Sequence, residues 1–419
     1  MSEASSPIAQ RLKKIKPSET LKVTAQAARM RAEGIDIVSL AAGEPDFGVP
    51  THVQDAMIQA LKEGKTRYTP SAGIPELKSA IAAKFKADNG LDYDTAQITV
   101  GAGAKNVLFT AAQVLFDPRD EVVVCAPFWV SYPDQIRLND ARSVIIRTRE
   151  ADGFLVHPDV LGKTVGRNTK AIILNSPSNP TGAAYPKEAL ARIAEIALEN
   201  DAWIISDEIY EKIVFDGFEH VSIASLSPEI KARTLVVNGL SKAYAMTGLR
   251  LGYAAGPTEV IQAMNMVQSQ NVSNAPSIVQ WGGVAALTGD QSQLHEMRNA
   301  FQERKDYVVR RLNDMEGIWC FEPQGAFYVF PRIAHYFGMK AGDTEITNSV
   351  EMAGYLLDSA KVSVVPGGAF GGDEYVRISF ATSMEQLTEG LNRIEAALKN
   401  LTPGEHYENT QVHLEQKRF

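Results

Sequence analysis

Lys242 sits in the segment NGLSKAYAMTGLRLGYAAG (residues 238–256), after an apolar run and a serine-containing turn. A lysine in apolar company is desolvated, its pKa falls, and the free amine suits Schiff-base chemistry. Ser241 and Arg250, on the same segment, could grip a phosphate. A surface lysine is the plain alternative. Asp207 lies just beyond another buried run in WIISDEIYEKIVFDG (203–217), where a carboxylate needs a cationic partner. Tyr210, three residues on, shares its face if the turn is helical. These two also suit a loop acid and a core tyrosine. NSPSNPTG (175–182) is dense in proline and asparagine and reads as a shaped loop. Asn179 could present its amide to a ligand there, and Asn179–Pro180 is a candidate cis bond. In ITVGAGAKNVLFTAA (98–112) a strand meets a glycine-rich turn and then a helix. The N–H groups of Gly103, Ala104 and Lys105 could hold a phosphate. The turn lacks the Lys-Ser/Thr ending of a nucleotide P-loop and is not a full dinucleotide fingerprint. A simple strand–helix turn is the alternative.

Short runs rich in valine and isoleucine recur through the middle of the chain: EVVVC (121–125), SVIIR (143–147), AIILN (171–175), WIIS (203–206) and TLVVN (234–238). Such runs suit strands buried on both faces of a parallel sheet. Helical stretches separate several of them, the clearest being 187–199, introduced by Pro186. The class is therefore α/β, with ligands expected at the carboxyl ends of the strands. From about residue 300 the pattern changes to α+β. A helix over 301–312 precedes strand-like pieces at 318–321 and 326–330. A helix over 349–359 leads into 361–365, and 375–380 precedes a closing helix over 384–399. Thr51 followed by Gln54 reads as a capping box for a helix through residue 61. The expected organisation is a large domain over 51–299 and a small domain over 300–402. Residues 1–50 pack with the small domain, and 403–419 form a loose polar tail.

At 419 residues the chain exceeds one ordinary core. Its formal charge of −8 argues against non-specific nucleic-acid binding. The two cysteines, Cys125 and Cys320, show no metal or redox spacing, and Cys125 reads as an inert core thiol. Basic residues near the start are not followed by an apolar segment, and no apolar run reaches membrane-spanning length. The expectation is a cytoplasmic enzyme with no membrane and no nucleic-acid partner.

Taken together, these motifs resemble the class I aminotransferases of fold type I. The nearest likeness is to bacterial aspartate aminotransferases, including those that also accept prephenate. The matching stretches run from KPSET (16–20) to RISFATS (377–383) and include AAGEPDF (41–47), TRYTPSAGIPELK (66–78), APFWVSYP (126–133), NSPSNPTG, SDEIYE, SKAYAMTG and QGAFYVFP (324–331). The resemblance implies a fold type I transferase with a mostly parallel sheet in its large domain. It also implies pyridoxal 5′-phosphate (PLP) as cofactor, bound to Lys242. Asp207 would pair with the pyridine nitrogen, and Tyr210 and Asn179 with the phenolic oxygen. Trp129 would stack on the ring. Ala104, Lys105, Ser241 and Arg250 would hold the phosphate, joined by Tyr68 from the other subunit of a homodimer. Arg377, with the Gly43 backbone, would take the substrate α-carboxylate, because a planar guanidinium binds a carboxylate through two hydrogen bonds. Ala104 stands where the family more often has glycine, and Leu249 where tryptophan is common before the phosphate arginine. The implied reaction moves the amino group of L-aspartate to 2-oxoglutarate, giving oxaloacetate and L-glutamate. Lys16, Thr20 and Lys105 would hold the distal carboxylate, and prephenate is a plausible second acceptor. Other donors, aromatic or alanine, and a lyase reaction such as β-elimination would use the same anchors. A cofactor-binding regulator would need a DNA-binding domain, and only about forty residues precede AAGEPDF.

Overall fold

The computed structural model describes residues 7–17, 19–405, 407, 408 and 411. The valine- and isoleucine-rich runs become adjacent strands of one seven-stranded sheet. Its members are β1 (Ile98–Gly101), β2 (Glu121–Ala126), β3 (Arg142–Arg147), β4 (Thr169–Asn175), β5 (Trp203–Asp207), β6 (Thr234–Gly239) and β7 (Gly252–Ala255). Their order is β1-β7-β6-β5-β4-β2-β3. Strands β2 to β6 run parallel. Strand β7 is antiparallel to both β1 and β6.

Alternation along the strands explains the layers. Val122, Val124, Ile173 and Ile205 pack on one face with the helices Ala104–Leu115 and Thr258–Asn271. Val123, Ile172, Leu174 and Ile204 face the other way, onto the helix Lys187–Glu199. Strands β2, β4, β5 and β6 are apolar at consecutive positions because both faces are covered, but β3, expected to be buried as well, is the edge strand and exposes Arg142, Ile145 and Arg147. The register sets Asn175 beside Asp207 at the carboxyl edge of β4 and β5.

The C-terminal part departs from expectation in detail. The helix expected over 301–312 begins earlier, at Ser292, and runs to Asn313, passing straight through residues 299 and 300. Residues 318–321 form no strand. They make only a bridge between Trp319 and Arg332, and the Asn313 side chain holds Cys320 through its N–H and carbonyl. Of 326–330, Tyr328–Val329 pairs with Val376–Ser379, which also pairs with Val365–Pro366. The helices Ser349–Ala360 and Met384–Lys399 lie where the sequence places them, capped by Asn348 and Ser383.

Val38–Ser39 pairs in parallel with Val362–Ser363, and Ala27 and Ile37 pack on Leu357. Residues 27–39 thus dock on the last part of the chain, whereas the turn Gln10–Lys14 does not, its Lys14 Nζ pairing with Asp140 just before β3. The helix Thr51–Lys62 forms, but not through a capping box. Pro50 is its N-cap, and Gln54 Nε2 donates to the Val49 carbonyl at 2.6 Å. Thr51 lies one position too far along to cap.

The polar tail is less loose than its composition suggests. Thr402–Pro403 pairs with Met339–Lys340, and Gln411 Nε2 donates to the carbonyls of residues 334, 335 and 337. Residues 406, 409, 410 and 412–419 lie outside the described residues. Cys125 is half-buried, and burial of its thiol pushes the pKa up to about 12, in keeping with an inert sulfur.

Candidate active site

A cavity of about 320 Å³ opens at the carboxyl ends of β4, β5 and β6. Asp207 ends β5 and lines it with a carboxylate only 4% exposed. Its Oδ2 accepts from the Tyr132 hydroxyl at 2.6 Å and its Oδ1 from the Ile209 N–H at 3.3 Å. Both of these partners within the chain are neutral donors. Burial accordingly raises the Asp207 pKa to about 6, even though Tyr132, the Ile209 N–H and the nearby Lys242 charge pull it down.

Lys242 follows β6 and reaches back across the chain, where its Nζ donates to the Gly43 carbonyl at 2.5 Å. Burial lowers its pKa to about 8, and the Arg377 charge adds to the effect. A free amine is therefore accessible near neutral pH, as the apolar surroundings in the sequence suggest.

The turn after β1 forms as read, with one correction. Gly103 adopts φ +87°, and a Cβ there would meet the Arg250 guanidinium at 2.5 Å. Its N–H already donates to Gly101 O at 2.8 Å, so it is not a phosphate donor. Ala104 and Lys105 open the helix Ala104–Leu115, and the first N–H groups of a helix find no carbonyl within it. Ser241 is buried beside the same cavity, and Arg250, held by Nη1 on the Thr247 carbonyl at 2.7 Å, closes that end.

Trp129 stands on the cavity wall, its ring edge-on to Tyr132 at 5.2 Å, with Lys105 Nζ 4.9 Å from the indole centroid. Asn179 is joined to Pro180 by a cis peptide bond, as expected, and is buried. Its N–H donates to Asn175 Oδ1 at 2.9 Å.

Arg377 is not a surface arginine, being 2% exposed in the strand Val376–Ser379. Nη1 donates to Asn179 Oδ1 at 3.0 Å and Nη2 to Ala41 O at 2.8 Å, while Nε has no partner. Its guanidinium lies 4.4 Å from the Tyr328 ring centroid. Among the described residues no carboxylate pairs with this buried guanidinium, an arrangement that suits binding of an anion.

Lys16 lies apart from this cluster. It lines a neighbouring cavity of about 920 Å³, which shares Lys105, Val130 and Arg250 with the first. Thr20 falls in the helix Glu19–Ala32, and its side chain lies outside the described residues. Tyr68 is 89% exposed and lines neither cavity in its own chain. Tyr132, Tyr328 and Asn175 also line the cavity and are absent from the sequence-based set. Tyr132 and Tyr328 stand in APFWVSYP and QGAFYVFP, but nothing in those stretches separates either from a core tyrosine.

The profile of the family described as aminotransferase class I and II matches residues 35–394. The chain belongs to the class I and II aminotransferases. Among relatives of this aminotransferase, the aspartate aminotransferase of Bacillus subtilis is 44% identical over 388 residues, 93% of this chain and 98% of that one. The aspartate/prephenate aminotransferase of Cereibacter sphaeroides is 45% identical, over 93% and 98% of the two chains. The crystal structure of the aspartate aminotransferase from Rhizobium meliloti superposes with a TM-score of 0.92 at 44% identity, covering 95% of this chain and all of that one. The family implies pyridoxal 5′-phosphate chemistry with amino-acid and 2-oxo-acid substrates. Among the described residues, no helix of this aminotransferase is long and apolar enough to cross a membrane.

Proposed function

We propose that this chain is an aspartate aminotransferase that uses PLP to move the amino group of L-aspartate to 2-oxoglutarate. The observation that carries the reading is the meeting of Lys242, Asp207 and Arg377, from three distant segments, in one cavity. The relatives named for aspartate activity support the substrate.

The residues suit the cofactor. Asp207 is a buried acid at the base of the cavity, able to pair with a protonated ring nitrogen. The Ala104 and Lys105 N–H groups, Ser241 and Arg250 make an anion cradle, into which a Cβ at Gly103 would intrude. Trp129 offers a face for the ring, and Asn179 and Tyr210 offer donors for its phenolic oxygen. Lys242 would hold the group through Nζ. When bound, PLP supplies the electron sink for chemistry at the substrate Cα.

The chain's own groups do the rest. Arg377 and the Gly43 backbone orient the α-carboxylate. Lys242 Nζ, free as an amine near pH 8, takes and returns the proton at Cα. Lys105, with Lys16 and Thr20, takes the distal carboxylate. A flexible ammonium does not demand one geometry, so prephenate is a second acceptor, as the name of the Cereibacter relative suggests.

The working form is a homodimer with shared active sites, in which Tyr68 reaches the partner's phosphate cradle. Its 89% exposure supports this. The division into a large domain over 51–299 and a small one over 300–402, with the chain around 27–39 docked on the latter, belongs to the same proposal. It is supported by separate apolar clusters around the sheet and around the C-terminal helices.

The test is a screen of amino donors against 2-oxoglutarate and oxaloacetate, run alongside light scattering. Aspartate as the best donor and a dimer at assay concentration are expected. Turnover without a keto-acid acceptor, or an active monomer, would contradict it.

A further inference from the structure

The hydroxyls of Tyr210 and Tyr328 lie 3.0 Å apart, both side chains buried at the cavity wall. Tyr210 comes from the turn after β5 and Tyr328 from the strand Tyr328–Val329. Each hydroxyl has a single hydrogen to donate. If Tyr210 gave its hydrogen to Tyr328, it would have none left for the cavity. The Tyr328 hydrogen would then find no acceptor among the hydrogen bonds of the described residues. If Tyr328 donates, Tyr210 accepts and keeps its own hydrogen for a ligand.

Two features favour the second arrangement. Burial raises both phenols, so both hydroxyls keep their hydrogen and the order of donation is set by what else each oxygen faces. The Arg377 guanidinium, 4.4 Å from the Tyr328 ring centroid, works against the rise at that phenol. On its other side the Tyr328 oxygen is walled by Gly43, where even a Cβ would come within 3.2 Å. Asp207, Lys242, Arg377 and Glu44 are the charged groups that act on this pair.

We infer that Tyr328 is a positioning residue for the reaction. Its hydroxyl donates to the Tyr210 oxygen and so aims and strengthens the hydrogen that Tyr210 offers to the phenolic oxygen of the cofactor. Chained hydrogen bonds polarise one another, so the second donor makes the first a stronger one. The inference rests on the PLP reading above. A stronger donor at the phenolic oxygen draws charge from it and weakens its hold on the proton it shares with the Lys242 nitrogen. The pH midpoint of the cofactor's absorbance band is therefore lower with Tyr328 present than without it.

The experiment is a spectral pH titration of four holoenzymes: parent, Tyr328→Phe, Tyr210→Phe and the double variant. Phenylalanine keeps the ring under Arg377 and removes only the hydroxyl. The Tyr328→Phe midpoint should rise by about half a unit, roughly threefold in proton affinity, and the Tyr210→Phe midpoint by more. The double variant should match Tyr210→Phe alone, because Tyr328 acts through Tyr210. A purely structural role would lower thermal stability and leave the midpoint in place. An unmoved midpoint in Tyr328→Phe, or shifts that simply add in the double variant, would overturn the inference while leaving the cofactor reading intact. A parent protein that forms no band with PLP would overturn that reading and this inference with it.

Discussion

Arg377 and Asn179, 198 residues apart in the chain, meet through Nη1 and Oδ1 at 3.0 Å. Asn179 accepts from the guanidinium through its oxygen, which leaves Nδ2 to donate into the cavity. One amide thus links the carboxylate anchor to the anchor for the cofactor's phenolic oxygen. Arg377 itself keeps Nε unpartnered in a buried site, which a bound carboxylate would relieve.

Arg377→Lys should lower kcat/KM for aspartate by about 1.5–3 kcal/mol, tenfold or more, because lysine cannot reproduce two parallel hydrogen bonds and also reach Asn179. Alanine as donor should suffer equally, since the α-carboxylate is common to both. Steady-state kinetics with the two donors checks this, and an unchanged aspartate constant would remove Arg377 from the site.

Lys16→Ala and Lys105→Ala should divide the donors instead. Loss of a cation facing the distal carboxylate should cost aspartate about 1.5–3 kcal/mol in kcat/KM and leave alanine nearly unaffected. The two lysines border adjoining cavities that share Lys105, so the larger effect is expected at Lys105. Equal losses for both donors would show that these lysines do not hold the distal carboxylate.

Asp207→Ala should fold yet slow proton abstraction by roughly 100-fold or more, because the ring nitrogen would lose its counter-ion. The Tyr132 hydroxyl, now without its 2.6 Å acceptor, adds a small stability loss. Single-turnover kinetics with aspartate measures the slowing, and a near-normal rate would misplace the pyridine end of the site.

Glu211 makes an ion pair with Lys84, and both side chains are buried. Burial alone would raise this carboxyl, but Lys84, with His220 and Asn89, outweighs it and holds the pKa at about 2 against an ordinary 4.5. A depressed carboxyl contributes stability that is full above 4.5 and is lost as pH falls toward 2. Lys84→Met should therefore destabilise the protein by about 3–5 kcal/mol at neutral pH, with the gap narrowing below about pH 4.5. Denaturant melts at pH 7 and pH 4 decide this, and a pH-independent difference would count against the ion pair.

The sheet was legible because β2, β4, β5 and β6 are buried on both faces and so read as unbroken Val/Ile runs, whereas the SVIIR run became the edge strand β3, with Arg142, Ile145 and Arg147 exposed. Strand β7, GYAA, was not legible, because small residues carry no period and the strand is defined by its neighbours β1 and β6. Thr51 looked like a cap because Gln54 follows at the right spacing, but Pro50 had already started the helix. Most of the site was legible through motifs at strand ends. Tyr132 and Tyr328 were not, because a buried tyrosine reads as core until its hydroxyl is seen to face Asp207 or Tyr210. Gly103 was legible as a turn glycine, but its N–H is spent on Gly101, which only the folded turn reveals.

Borohydride reduction of the protein with PLP, followed by peptide mass mapping, tests the role of Lys242 most directly. The expected result is loss of the visible band and a stable pyridoxyl-phosphate adduct on the peptide bearing Lys242, with no band and no turnover in Lys242→Ala. An adduct on Lys105 or Lys16 in its place, or full turnover by Lys242→Ala, would contradict it.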